Sequence, residues 1–207
     1  MTTSRRRKDA RPGELTAAAL ELFAEKGFAA TRLDDVAARA GVSKGTVYLY
    51  FESKEELFEA VVREGIVPVL AQGEALVDQH RGDTVSLLRA ILHGWWSMVG
   101  ATPLAGVPKI VLSEARNFPD MARHYNENVI QRGRRLMAGV IARGVASGEF
   151  RAVDVEATID SLMSPLLFLV VWRSSIAQCC PSASVDPVQF IDRHLDLVLN
   201  GLVPRSA

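Results

Sequence analysis

The chain has 207 residues, 48% of them hydrophobic, and its 24 Lys and Arg balance 24 Asp and Glu. That length can bury a sizeable core, and that apolar content excludes general disorder. Zero net charge gives no overall pull towards a polyanion, so any nucleic-acid footprint has to be local.

Residues 1–12 carry such a footprint: Arg5, Arg6, Arg7, Lys8 and Arg11 stand against the single acid Asp9. They read as a basic arm that lies along phosphates, enters a minor groove, or is simply solvated. No apolar stretch of a secretory signal follows them. No uninterrupted apolar run approaches the roughly 20 residues of a membrane span, since the longest, Leu162 to Trp172, contains Ser164 and Pro165. A cytoplasmic protein without a membrane partner is expected.

A first helix is expected from Glu14 to Lys26, with Leu15, Ala18, Ala19, Leu22 and Phe23 at three-four spacing and Gly27 as its stop. Thr31 then precedes the apolar-periodic run Leu33, Val36, Ala37, Ala40, and Asp34 three residues on makes an imperfect capping box. This second helix should begin near Arg32 and end at Gly41, which takes the left-handed backbone after a helix without steric cost. Val42 plugs the turn, and the Ser43 hydroxyl is placed to accept from the amide of Gly45 or Thr46.

Two helices thus meet across Gly-Val-Ser, a connection of helix-turn-helix length. The next helix, Lys44 to Phe51, puts Val47 and Phe51 on one face and Lys44, Gly45, Thr46, Tyr48 and Tyr50 on the others. Eight residues at about 1.5 Å each span roughly 12 Å, the width of a B-DNA major groove. Ser53 and Glu56 form an S-x-x-E box for a fourth helix, with Lys54 in its first turn. A cation there opposes the helix dipole, a conflict that a bound phosphate would relieve. Singly, these tyrosines and lysines are ordinary packing or solvated residues; their convergence on one short capped helix points to DNA binding.

The run AALELFAEKGFAATRLDDVAARAGVSKGTVYLYFESKEELFEAVV resembles the tetracycline-repressor (TetR) family of bacterial transcription regulators. The resemblance implies an all-α homodimer with a three-helix, homeodomain-like head, a larger helical body holding a ligand cavity, and release from a double-stranded DNA operator when a small molecule binds. It also implies a DNA face of Ser43, Lys44, Gly45, Thr46, Tyr48 and Tyr50, a phosphate contact at Lys54, and DNA contacts near Thr31 and Arg32. Arg32 departs from the small hydroxyl residue many members carry there, which leaves that contact open, although Arg suits phosphate.

The domain division expected is 13–58 for the head and 59–207 for the ligand-binding and dimerisation body, with about nine helices in all. Gly65, Pro68 and Gly73 read as a hinge-like connection. Body helices are expected near Thr84 to Ala101, Pro103 to Arg116, Pro119 to Ser147, Asp154 to Gln178 and Pro187 to Leu202, packed as a bundle. Trp95, Trp96, Met98, Tyr125, Met163, Phe168 and Trp172 are candidates to line an apolar cavity, although each alone reads as core. Arg116, Arg123, Arg132, Arg134 and Arg135 offer either an anion site or a solvated face. By the resemblance, Leu162, Leu166, Leu169, Val170, Ile191, Leu195 and Val198 fall on the two helices that pair between subunits, setting two heads on a palindrome.

Enzyme motifs are missing: no G-x-G-x-x-G, P-loop, H-E-x-x-H or G-x-S-x-G occurs, and the four histidines are scattered. Cys179 and Cys180 are too few for a structural zinc site, and no cofactor is expected. The expected function is a ligand-responsive transcriptional regulator, a repressor released by a small, largely apolar effector. The alternative is a ligand-independent or architectural helix-turn-helix protein with a fully packed body.

Overall fold

Helices are built where the apolar spacing placed them, but several run on through sequences that read as breaks. The computed structural model describes residues 2–180 and 185–202, with side chains from Arg11 onward except those of 178 and 202. The α-helices are α1 (Thr2–Lys26), α2 (Leu33–Arg39), α3 (Lys44–Tyr48), α4 (Lys54–Val61), α5 (Val67–Gln79), α6 (Thr84–Trp95), α7 (Gly106–Glu114), α8 (Pro119–Tyr125), α9 (Gln131–Ala146), α10 (Val155–Arg173), α11 (Ile176–Cys179) and α12 (Pro187–Leu202). π-Helical turns join α4 to α5 and α8 to α9; with those pairs taken as single runs and the one-turn α11 set aside, nine helices remain among the described residues. No strand occurs among them.

The segment expected as an arm belongs to α1, which begins at Thr2 and carries Pro12 within it. The expected hinge at Gly65 and Pro68 is instead a π turn, Val62–Ile66, closed by the Val67 amide on the Val62 carbonyl. Proline has no N–H and crowds the carbonyl four residues back, so an α-helical register is poorest just before Pro68; a widened turn there keeps the chain helical. A second π turn, Trp96–Gly100, continues α6. The Trp96 ring lies so close over Gly100 that a Cβ would fall 2.3 Å from it, so only glycine fits at that position.

The chain divides into two compact units, and the division is not the contiguous one expected. The first comprises residues up to Pro68 together with Gly106–Asn128; the second comprises Val69–Ala105 and the residues from Val129 on. In the first, Leu15, Leu22 and Phe23 of α1, Val36 of α2, Val47 of α3 and Leu57 and Phe58 of α4 are all buried. Phe23, Phe28 and Phe58 form a ring cluster with centroids 5.1 to 6.2 Å apart. Thr16 donates to Glu64 at 2.7 Å, tying α1 to the π turn after α4.

The second unit has an aliphatic core of Leu87, Leu88 and Leu92 from α6, Val140 and Ile141 from α9, Leu162 and Leu166 from α10, and Ile191 and Leu195 from α12. Polar clamps fasten its helices. Glu149 accepts from the Thr84 amide and hydroxyl at 2.6 and 2.9 Å, capping α6 from 65 residues away. Arg132 and Glu74 pair through two 2.6 Å hydrogen bonds, and Asp192 accepts from Arg89 at 2.6 Å. Helix α10 is 19 residues long and apolar enough by composition to cross a membrane, contrary to the sequence expectation, because Pro165 is accommodated inside it. Leu162, Leu166 and Leu169 nevertheless place one side of it in the core.

Candidate nucleic-acid interface

The interface is built on two turns whose geometry follows from single residues. Helix α2 ends in a Schellman pattern: Gly41 takes φ +66°, its amide donates to Ala38 O at 3.2 Å, and the Val42 amide reaches Ala37 O at 3.0 Å. The chain then turns into α3, where the Ser43 hydroxyl accepts from the Thr46 amide at 3.2 Å and contacts the Thr46 hydroxyl at 2.8 Å. Val47 is fully buried and pins the helix to the unit beneath it. α3 is shorter than expected, Lys44–Tyr48, with a looser turn carrying the chain to Phe51.

The start of α2 differs from expectation. Thr31 is 1% exposed, and its hydroxyl donates to the Gly27 carbonyl at 2.7 Å, so it closes the end of α1 and is turned away from the surface. The N-cap is Arg32, whose amide donates to Asp35 at 3.2 Å. Asp34, freed from capping, accepts from Lys44 at 2.8 Å and lies across the α2–α3 turn. That carboxylate raises the Lys44 pKa and keeps the ammonium charged. A phosphate at this point would exchange one anionic partner for another.

The outer side of α3 presents Lys44, Gly45 and Tyr48, with the Lys44 ammonium 5.8 Å from the Tyr48 ring. Thr46 and Tyr50 are half-buried beside it. At roughly 100° per residue, the positions opposite Val47 are Gly45 and Leu49. Leu49 is 72% exposed and absent from the face expected from sequence, although its spacing of four from Gly45 places it outward. Lys54, at the start of α4 behind the Ser53 cap, donates to the carbonyls of Phe28 and Ala29 at 3.0 Å each. Glu56 completes the capping from one residue earlier than expected, accepting from the Glu52 amide at 2.7 Å.

The region from residue 15 to residue 61 matches the family described as bacterial regulatory proteins, tetR family, and residues 78–177 match the tetracyclin repressor-like C-terminal domain. The chain belongs to the TetR family. It is 28% identical over 197 residues to the transcriptional repressor KstR2 of Rhodococcus jostii, covering 94% of this chain and 92% of that one. It is 30% identical over 155 residues to the transcriptional regulator YfiR of Bacillus subtilis, covering 73% and 74%. The fold matches that of FadR from Bacillus subtilis, solved in complex with stearoyl-CoA, with a TM-score of 0.76 at 21% identity over 91% of this chain and 97% of that one. This TetR-family chain is a ligand-responsive, DNA-binding transcription regulator, and the family and relatives are regulators rather than enzymes.

The other candidate residues of this TetR-family protein are dispersed. Trp96 lies in the core of the second unit, with Trp95 and Met163 packed against it; Met98 is half-buried. Phe168 is 57% exposed and stacks on Trp172 at 5.6 Å, so this pair faces outward. Tyr125 belongs to the first unit, where burial raises the pKa of its phenol and keeps it neutral. Three of the five arginines are engaged as ion pairs: Arg132 with Glu74, Arg134 with Glu156 and Asp160, Arg123 with Asp120. Among the described residues no cluster of three metal-ligating side chains occurs, and Cys179 and Cys180 are exposed thiols.

The stripe expected to pair between subunits is corrected. Leu162, Leu166, Leu169, Val170, Ile191 and Leu195 are buried in the protomer's own core, and Val198 is half-buried. From Pro165 to Trp172 α10 is apolar on every side, so the periodicity of that half does not select which stripe turns inward. Phe168 with Trp172 lies on the outward side of α10, and Pro165 borders an open groove of about 660 Å³ with Phe190, Arg193, His194 and Leu197 of α12. His194 Nε2 is buried there with no hydrogen-bond partner.

Proposed function

We infer that the protein is a dimeric repressor that sets two α3 helices on a palindromic operator and leaves it when a small, largely apolar effector binds. The observation that carries this reading is the outward face of α3. Lys44, Gly45, Tyr48 and Leu49 stand opposite a fully buried Val47, on a helix held at both ends by Ser43 and the Val47-bonded turn. Ser43 and Thr46 reach phosphate, Tyr48 and Leu49 reach base edges, and Lys54 and Arg32 meet the flanking backbone. A second copy covers the groove of α10 and α12, and a two-fold axis then spaces the heads by about one helical turn of DNA or a multiple of it.

The repressor and effector assignments draw support from the KstR2 relatives, named as repressors, and from FadR, captured with a fatty acyl-CoA. Release requires that the effector bind the DNA-incompetent state more tightly; each tenfold of discrimination contributes about 1.4 kcal/mol. The protein acts in the cytoplasm, and none of its residues is assigned catalysis. The test begins with selection of the operator from a random-sequence pool, followed by titration of the preformed complex with stearoyl-CoA and with CoA alone. Tenfold or greater weakening by the acyl form only is expected. No change with either compound would remove acyl thioesters as the effector class while leaving the operator reading intact.

A further inference from the structure

Lys54 occupies the first position of α4, where the dipole and free amides of the helix disfavour a cation. Its ammonium is held in place. Besides the two 3.0 Å hydrogen bonds to Phe28 O and Ala29 O, the rings of Phe28 and Phe118 lie 4.7 and 5.1 Å from Nζ. Carbonyl oxygens and ring faces both stabilise positive charge and so offset the dipole. The two rings meet edge to face at 4.8 Å, forming two walls of one cage.

Phe118 is itself fixed from both ends. Pro119, the first residue of α8, keeps the preceding residue out of helical backbone, and Phe118 has φ −130° and ψ 71°. Its amide donates to Glu114 O at 2.9 Å, and its carbonyl accepts from the Ala122 amide at 3.1 Å. The ring therefore projects from a junction with little freedom. Lys54 stays half-exposed, with one of its three N–H donors beyond the two carbonyl bonds. A phosphate approaching it meets an ammonium already placed, and the long side chain does not have to be ordered on binding.

We propose that Phe118 is a positioning residue for operator binding: it sets the Lys54 ammonium against the DNA backbone without contacting DNA itself. This rests on the reading that Lys54 meets a phosphate, and the experiment separates the two. Operator affinity is measured between 50 and 200 mM salt for the wild type, Lys54→Met, Phe118→Leu, Phe118→Tyr and the double variant Lys54→Met/Phe118→Leu, as a ~fourfold range over which phosphate contacts are resolved. Lys54→Met should weaken binding and flatten the log–log salt slope by about 0.9 for each head. Phe118→Leu should weaken binding roughly threefold to tenfold and flatten the slope in the same direction, Phe118→Tyr should match the wild type, and Phe118→Leu should have no further effect in the Lys54→Met background.

An unflattened slope in Phe118→Leu, or losses that multiply in the double variant, would overturn the positioning role while Lys54 keeps its phosphate. An unchanged slope in Lys54→Met would overturn both. If Phe118→Leu unfolds, the wild-type protein answers the same question: the Lys54 ε-methylene protons should show ring-current shifts both free and on the operator. Loss of those shifts in the complex would mean that the cage opens on binding, contrary to the proposal.

Discussion

The two units bury their apolar residues in different ways and leave different surfaces. The first is centred on rings, with Phe23, Phe28 and Phe58 fully buried, and its exposed large apolar side chains are Tyr48 and Leu49 at the end of α3 and Leu112 on α7. The second is centred on branched aliphatic side chains and leaves Phe168, Val188 and Leu197 outside on α10 and α12. Leu197 is 74% exposed. One surface is charged and hydroxyl-bearing with an apolar tip, suited to a groove lined by phosphates; the other sets large apolar side chains among Asp186, Gln189, Arg193 and His194, suited to burial against another protein surface. On the proposed function, reading DNA and associating fall to the side chains that each unit leaves uncovered.

The largest effect should come from the ring cluster. Phe58→Ala is expected to cost about 3–5 kcal/mol, measured as a shift of the urea midpoint with operator binding lost alongside. An unchanged midpoint would break the view of the rings as the head's core. Leu197→Glu should weaken self-association by roughly a hundredfold or more in sedimentation while the helical signal persists. A dimer as tight as the wild type would move the covered surface elsewhere. Tyr48→Ala should lower operator affinity by about 10-fold to 100-fold, as expected for loss of a base contact, with the unfolding midpoint barely altered.

Smaller effects sharpen the same contrast. Ser53→Ala removes the α4 cap and should cost about 1 kcal/mol in unfolding experiments, with the salt slope of operator binding retained. Leu49→Ala should weaken operator binding only about threefold, and a matching loss should follow when thymines of the half-site are replaced by uracils. If Leu49 meets a thymine methyl, those two losses do not add; full additivity would assign it no base contact.

How much of this was legible in the sequence depended on range. Gly41, Ser43 and Ser53 act through bonds spanning five residues or fewer, so their roles could be read directly from spacing. Thr31 could not, because its hydroxyl is taken by the end of α1, which moves the cap to Arg32 and releases Asp34 to Lys44. Glu149 on Thr84 and Phe118 beside Lys54 join residues more than 60 positions apart, and no local signal announces them. Pro68 read as a break because proline is incompatible with an α-helical interior, whereas a π turn before it relieves the conflict. The inward stripe of α10 was illegible over Pro165 to Trp172 because every side of that half is apolar.

The first unit is discontinuous in sequence, and that limits its modularity. A chimera exchanging heads between relatives at a single junction near Pro68 would keep Phe28 and Lys54 from one parent and receive residue 118 from the other. A graft that preserves the cage has to carry Gly106–Asn128 as a second insert. For this protein the compact unit that holds the helix-turn-helix is therefore two stretches of chain, and an alignment confined to the amino-terminal motif overlooks one of them.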